Sequence, residues 1–590
     1  MITCSKCGVE NRDDASFCRE CGTPLTPAPQ PASGPQKSKT PLIVGAVAGV
    51  VILCCICLIA AVLLAKYTDV LSFLPLFGPK WSASKIVPAD TGFLASVNPS
   101  VENLAGFKHL SDVYGDIPEV REALDDFLAE MEAESGITFE SDIKPWLGQE
   151  VALAIPNLEA AMEGQDPEIV LAVATRDRRD SDAFLEKLRQ YLVSDGYVVS
   201  EATYNGVTYY VQETKSEWET PALFGTVNDF VILATGASTM KNVIDVARGD
   251  AESLAKNETY TRLVDALPEE AVALMFYDMQ GMMDALLRDS GVELPPEAAG
   301  QLEAFQAMGM SVSLDTKGVQ MDFVVTFDPD ALSPETRESF GARASAGHIL
   351  QRVPSDALAF ASGQDMAAAW RNYLTTLKEN PDIEKQLDDL GDSFGLRLDE
   401  ELFAWATGEL AIALVESGGA TSPVGGFAVF EVKAQQEAEE TMSGLAAIMA
   451  DILYLEFEEG EIGGVAMRVI RDSYTEEIMM GYGFTDAHLV IGFMEDALEV
   501  AVDDSISPIV NDAVFKQVQS HLPRDTGGYF YVNVEATWQL AYDTMSDYDR
   551  QDFDAQVRPF LEPVEAIGMG FSITDPQEGL GRSTVFIYIP

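Results

Sequence analysis

Four cysteines offer the clearest chemistry in the chain. Cys4-Ser-Lys-Cys7 is followed, after ten residues that begin with Gly8, by Cys18-Arg-Glu-Cys21-Gly22. Each Cys-x-x-Cys turn brings two sulfurs to one point, and four thiolates at this spacing suit one tetrahedral Zn2+. About twenty-five residues bury too little apolar surface to fold unaided, so metal binding has to supply the folding free energy. A redox or disulfide pair is the competing reading. Cys4, Cys7, Cys18 and Cys21 fill all four positions of one ion and leave none for substrate, so the expected zinc is single and structural.

The rest of the chain carries little that could react. His109, His348, His488 and His521 stand singly, and no GxSxG, GxxxxGK or strand-following GxGxxG occurs. Ser82-Ala-Ser-Lys85 spells SxxK without the companion motifs of an acyl-enzyme serine. An apolar residue, Pro, any residue and an acid recur at Val87–Asp90, Leu267–Glu270, Val353–Asp356 and Leu522–Asp525. Proline fixes φ and drives its predecessor to an extended conformation, so these motifs read as rigid entries into strands. Glu150 and Glu409 open apolar strands beside Trp146 and Trp405, and their recurrence favours packing and turn roles. Acid clusters at Asp543–Asp554 and Glu456–Glu461 lack a calcium loop and read as solvated faces.

Several kinds of segment must carry these residues. Residues 1–25 form the ribbon, and 26–41, TPAPQPASGPQKSKT at their centre, read as an extended tether. Residues 42–65 hold no charge in 24 positions and would span about 36 Å as a helix, which predicts a transmembrane segment. The run is too long for a cleaved signal peptide, and Leu53 before Cys54 makes a poor lipobox. Cys54, Cys55 and Cys57 fall inside that run, where thiols behave as small apolar side chains. Flanking charges do not orient the span. Zinc thiolates favour a reducing cytosol and a cysteine-free acidic body suits the outside, so the expected location is the cell membrane, N-terminus cytoplasmic and C-terminal part extracytoplasmic.

Four of the 95 acids and six of the 38 bases lie in residues 1–66, leaving 91 acids against 32 bases beyond. Such a surface repels phosphate backbones, so nucleic acid is not expected as its ligand. Residues 66–85 form a stalk. Beyond it, landmarks recur at nearly constant offset: Val87-Pro-Ala-Asp90 with Val353-Pro-Ser-Asp356, Trp146 with Trp405, Gly206 with Gly464, Leu267-Pro268 with Leu522-Pro523, and Met308-Gly-Met310 with Ile567-Gly-Met569. They predict two copies of one unit, 86–330 and 352–590, joined by 331–351. Val151–Ile155, Ile169–Ala174, Val207–Val211 and Phe230–Leu233 read as strands, and Ser181–Leu192 and Glu437–Met449 as helices. The expected class is α+β: a zinc ribbon, one transmembrane helix and two tandem mixed units with largely antiparallel sheets.

Cys4 to Cys21 resemble the short zinc-ribbon module at the N-terminus of many bacterial and archaeal membrane proteins, which implies zinc at those four residues. Val87-Pro-Ala-Asp90 and Trp146-Leu-Gly148 resemble a bacterial membrane-anchored family known only as a domain of unknown function. In the second copy Ala-Thr replaces Leu-Gly. That resemblance brings no activity. The sequence therefore reads as a membrane-anchored, non-enzymatic envelope protein whose duplicated acidic body binds an unidentified protein or ligand. The expected contacts are the bilayer through 42–65 and a cytosolic partner for the ribbon. An extracytoplasmic carboxylate-dependent hydrolase and an apolar-ligand carrier are the alternatives.

Overall fold

Alternation of side chains sets the strands. Leu147–Ile155 buries every second residue, as a strand with one face turned to the core does. The computed structural model describes residues 2–3, 10–11 and 81–590, the last with breaks at 102–103, 116, 118–128, 130–131, 134, 159–167, 215–220, 282–302, 333–346, 379–384, 386–402, 420–421, 454, 473–474, 486 and 573–577. The chain divides into a unit of residues Met1–Ala60 and a unit of Ala61–Pro590. In the first, β1 (Ile2–Thr3) and β2 (Glu10–Asn11) pair antiparallel.

Twenty strands of the larger unit form one sheet. Its first half contains β3 (Phe93–Val97), β4 (Leu147–Ile155), β5 (Val170–Thr175), β6 (Val199–Tyr204), β7 (Val207–Gln212), β8 (Ala222–Val227), β9 (Phe230–Thr235), β10 (Ala273–Asp278), β11 (Phe305–Asp315) and β12 (Gly318–Phe327). The second contains β13 (Ala359–Gln364), β14 (Glu409–Glu416), β15 (Val424–Glu431), β16 (Glu458–Ile462), β17 (Val465–Arg471), β18 (Ile478–Phe484), β19 (His488–Phe493), β20 (Thr526–Asn533), β21 (Ala566–Ser572) and β22 (Leu580–Tyr588). Pairing runs β6-β7-β8-β9-β5-β4-β3-β10-β11-β12 in the first half. The second half runs β16-β17-β18-β19-β15-β14-β13-β20-β21-β22. Every pairing is antiparallel, and β12 joins β22 to make the halves continuous.

That join is close to a twofold axis. Phe323 faces Met310 and Val585 faces Met569, so positions 323 and 585, which are 262 apart, correspond. The central pair Asp322↔Thr584 has the same separation, and its two members are therefore each other's counterparts.

Helices cover both faces. Trp146 packs against Phe184 of the helix Arg178–Ser194, ring centroids 5.1 Å apart, and Trp405 lies in a cluster with Met442 of the helix Gln435–Leu453. On the other face, the helices Glu258–Ala266 and Ala513–His521 settle directly on the glycines of the Met-Gly-Met and Ile-Gly-Met landmarks. A Cβ on Gly309 would lie 2.0 Å from Leu263 Cδ2, and one on Gly568 would lie 2.2 Å from Val518 Cγ1. Only a missing side chain permits that approach. The strand and helix segments expected from periodicity occur, with ends that coincide or shift by up to four residues, Ile169 falling just outside Val170–Thr175.

Two expectations are corrected. Among the described residues no helix is long and apolar enough to cross a membrane. The longest, Gln435–Leu453, carries Glu437, Glu439, Glu440 and Asp451, the charges of an amphipathic helix packed on a sheet. Residues 42–65 lie outside the described residues. Among the described residues the fold class is thus a mixed helix–strand body with one large antiparallel sheet and no membrane-spanning helix, which corrects the expected α+β class with one transmembrane helix. The expected single-pass membrane location, with cytoplasmic N-terminus and extracytoplasmic body, has no support from any helix among the described residues.

Candidate functional site

Cys4 and Cys7 fall in sequence between β1 and β2, which pair with Ile2 opposite Asn11 and Thr3 opposite Glu10. A short hairpin around a Cys-x-x-Cys turn is a frame on which two sulfurs can converge, and thiolates are fitting donors for Zn2+. The four cysteines lie outside the described residues, and among the described residues no group of His, Cys, Asp or Glu could hold a metal ion.

The deepest acids serve the backbone. Glu150 on β4 is 4% exposed. Its Oε2 accepts from Ser82 Oγ at 2.7 Å and Ala83 N at 3.0 Å, and its Oε1 accepts from Ser96 Oγ at 3.0 Å. Desolvation nonetheless outweighs these bonds and pushes its carboxyl above the usual range. In the second half Glu409 accepts from Gly347 N at 2.8 Å and Ile349 N at 2.9 Å. Each carboxylate thus caps the short helix that opens its half, Ser82–Lys85 or His348–Arg352. Ser82 of the SxxK sequence is consumed in this cap.

The Val-Pro-x-Asp motifs dock each opening segment onto a later loop. Pro88 bridges Ser253 and Pro354 bridges Pro508, while Val87 O and Val353 O accept from Leu254 N and Ile509 N. Asp90 and Asp356 are exposed, and Thr91 N and Ala357 N donate to the proline carbonyls. Of the histidines, His109 Nε2 lies 2.8 Å from Ile589 O, and His521 stacks on Phe586 at 3.7 Å. His488 is half-buried, and its pKa is lowered by desolvation and by Arg352. His348 sits in the capped opening helix. In the late acid cluster Asp554 accepts from Tyr542 Oη at 2.9 Å and pairs with Arg558. Glu458 and Glu459 on the edge strand β16 pair with Arg471 and Arg468.

A carboxylate hydrolase would need two raised acids in one cleft. Glu565 is also pushed up, by desolvation and then by Glu535. It adjoins β21, six strand positions from β4, or about 29 Å along the sheet at 4.8 Å per strand. The two cannot act on one bond.

What the tertiary structure does assemble is a cleft of about 450 Å³ over the β12–β22 join, on the face that carries the helices Glu258–Ala266 and Ala513–His521. Its floor is Asp322 and Val324 of β12 with Arg582 and Thr584 of β22. Asp265, Leu267, Pro268 and Glu269 wall one side, and Pro523 and Ser572 the other. Thr584 Oγ1 donates to Asp322 Oδ1 at 2.7 Å, and Gln320 Nε2 donates to Asp322 Oδ2 at 2.9 Å. Two of the four proline motifs therefore meet here, though they are separated by 255 residues in sequence. Asp322, Arg582 and Thr584 carried no signal in the sequence, because only the pairing of β12 with β22 makes them neighbours.

The comparisons agree with this layout at both ends. Residues 3–25 match the zinc-ribbon domain, and residues 46–589 match the family described as protein of unknown function DUF3352. No curated protein matches. Crystal form III of TP0453 is similar over 44% of this chain and 84% of its own, with 11% identity and a TM-score of 0.24. Crystal form IV of the same protein is similar over 42% and 83%, with 10% identity and a TM-score of 0.23. These likenesses are too distant to bear on ligand or mechanism. With 544 of its 590 positions inside one family model and a zinc ribbon ahead of it, the chain belongs to the DUF3352 family.

Proposed function

We propose that this chain is a non-enzymatic binding protein whose acidic two-half body takes a small zwitterionic ligand in the cleft at the β12–β22 join. One observation carries the reading: the cleft draws its lining from both halves, with Asp265, Glu269 and Asp322 from the first and Arg582 from the second. A ligand with an ammonium facing the acids and a carboxylate facing the arginine, such as an amino acid or a dipeptide, satisfies both. The buried glutamates support binding over catalysis, since their oxygens are engaged by backbone and hydroxyl donors.

A thermal-shift panel of free amino acids, dipeptides, acetate and methylamine tests this. Ligand at about a hundredfold over its Kd stabilises the native state by roughly 2.7 kcal/mol. Zwitterions are expected to raise Tm, the two half-molecules to do so far less, and Arg582→Gln to remove the effect. A panel that leaves wild-type Tm unmoved sinks the reading.

The ribbon's part is structural. Cys4, Cys7, Cys18 and Cys21 would hold one Zn2+, which supplies the free energy that folds the tail. Metal analysis should find one zinc per chain, lost in Cys4→Ser with Cys18→Ser, while unfolding of the body is unchanged. Retention of zinc by that double variant would refute the assignment.

A further inference from the structure

The face of the sheet opposite the cleft carries an apolar row that crosses the β12–β22 join. Ile412, Ala361, Phe530, Met569 and Val585 face one another in turn on β14, β13, β20, β21 and β22. The row continues through Met321, Val312 and Ala273 of the first half. Directly paired residues lie on one face, so this is one stripe. Its first half is closed: Met321, Val312 and Ala273 are 6%, 0% and 7% exposed. Its second half is open: Ile412 and Phe530 are 45% and 43% exposed, beside Leu414, Phe493 and Phe571 on the same face at 39%, 43% and 49%.

Counterpart positions sharpen the contrast. Val312 lies two residues beyond Met310 and Phe571 two beyond Met569, so a buried valine in one half answers to an exposed phenylalanine in the other. The larger side chain sits where burial is absent, the pattern of a docking site and not of a core. At one end of the patch the face is partly covered, where half-buried Val532, Ile567 and Ile587 pack with Leu110 and Trp538.

We infer that this open face docks a cationic amphipathic helix of a partner protein. From Ile412 to Val585 the row crosses four strand spacings, about 19 Å, which about thirteen helical residues cover. An open row of this length, beside the partly covered end at Leu110 and Trp538, suits a helix laid along it. Charge selects the sign: Glu416 shares the face with Ile412 and Leu414, and the body beyond residue 66 holds 91 acids against 32 bases. A second copy of this chain or an anionic bilayer would bring like charge to like.

The test uses the full-length chain and a labelled Leu/Lys amphipathic peptide of about five helical turns, with its Leu/Glu counterpart and zwitterionic phosphatidylcholine vesicles as comparisons. The Leu/Lys peptide is expected to bind with an affinity that falls as salt rises. Phe530→Ser with Phe571→Ser should weaken it at least tenfold without lowering Tm, and Glu416→Lys should weaken it severalfold. No binding, equal binding by the double variant, preferential binding of vesicles, or self-association abolished by that variant would each overturn the inference. None of these outcomes depends on Arg582 or the cleft.

Discussion

Gly318→Ala is expected to destabilise the body by about 3–5 kcal/mol, combining a strained backbone with overpacking. Gly318 opens β12 with φ of +142°, a region that glycine occupies and residues with a Cβ avoid. A methyl group there would sit 1.9 Å from the carbonyl oxygen of Ile587 on β22, and a backbone atom cannot rotate away. The strand pair that joins the two halves would have to shift from its first rung, Gly318↔Tyr588. Gly249→Ala supplies the control. Gly249 also has positive φ, +83°, but its added carbon would meet nothing within 4 Å, so only the left-handed conformation is penalised, at about 1–2 kcal/mol. Urea unfolding of the two variants decides the matter. Equal losses would show that the β12–β22 contact is not tight, and limited proteolysis between the halves should accelerate only in Gly318→Ala.

Glu150→Ala is expected to cost about 2–4 kcal/mol, because the Ala83 amide and the Ser82 and Ser96 hydroxyls lose their acceptor inside the protein. Glu150→Gln keeps an oxygen for part of that set and should cost less. The pH dependence separates charge from shape. Burial raises the native pKa of Glu150 above its unfolded value, so its neutral form is the one folding favours. That contribution is fully present below the unfolded pKa and is lost as pH rises through the native one. Gln does not titrate, so the advantage of wild type over Glu150→Gln should be greatest at acidic pH and shrink toward alkaline pH. An advantage that grows with pH would mean that the hydrogen bonds, and not desolvation, control this carboxyl.

Local pattern predicted a strand at Val151–Ile155 and a helix at Ser181–Leu192, and both occur, within Leu147–Ile155 and Arg178–Ser194, since both express a period set by a packed face. Recurrence singled out Glu150 and Glu409 for a shared turn role, and both cap the opening helix of their half. In the Val-Pro-x-Asp motifs the proline carbonyls accept the amides of Thr91 and Ala357, a turn that only the folded backbone displays. The membrane reading rested on the length and apolarity of residues 42–65, which lie outside the described residues, and no helix among the described residues supports it. The cleft was illegible because its floor comes from strands more than 250 residues apart.

Four cysteines at metal-binding spacing, an acidic body free of cysteine and the periodicity of its strands are properties of neighbouring residues, so the sequence determined them unaided. Which strands pair is a contest among many registers of similar local quality, settled only when whole faces are buried together. The tertiary structure alone decided that β12 meets β22 with Asp322 opposite Thr584. From that one register follow the continuous sheet, the cleft over the join on one face, and the apolar stripe that runs through Val585 on the other.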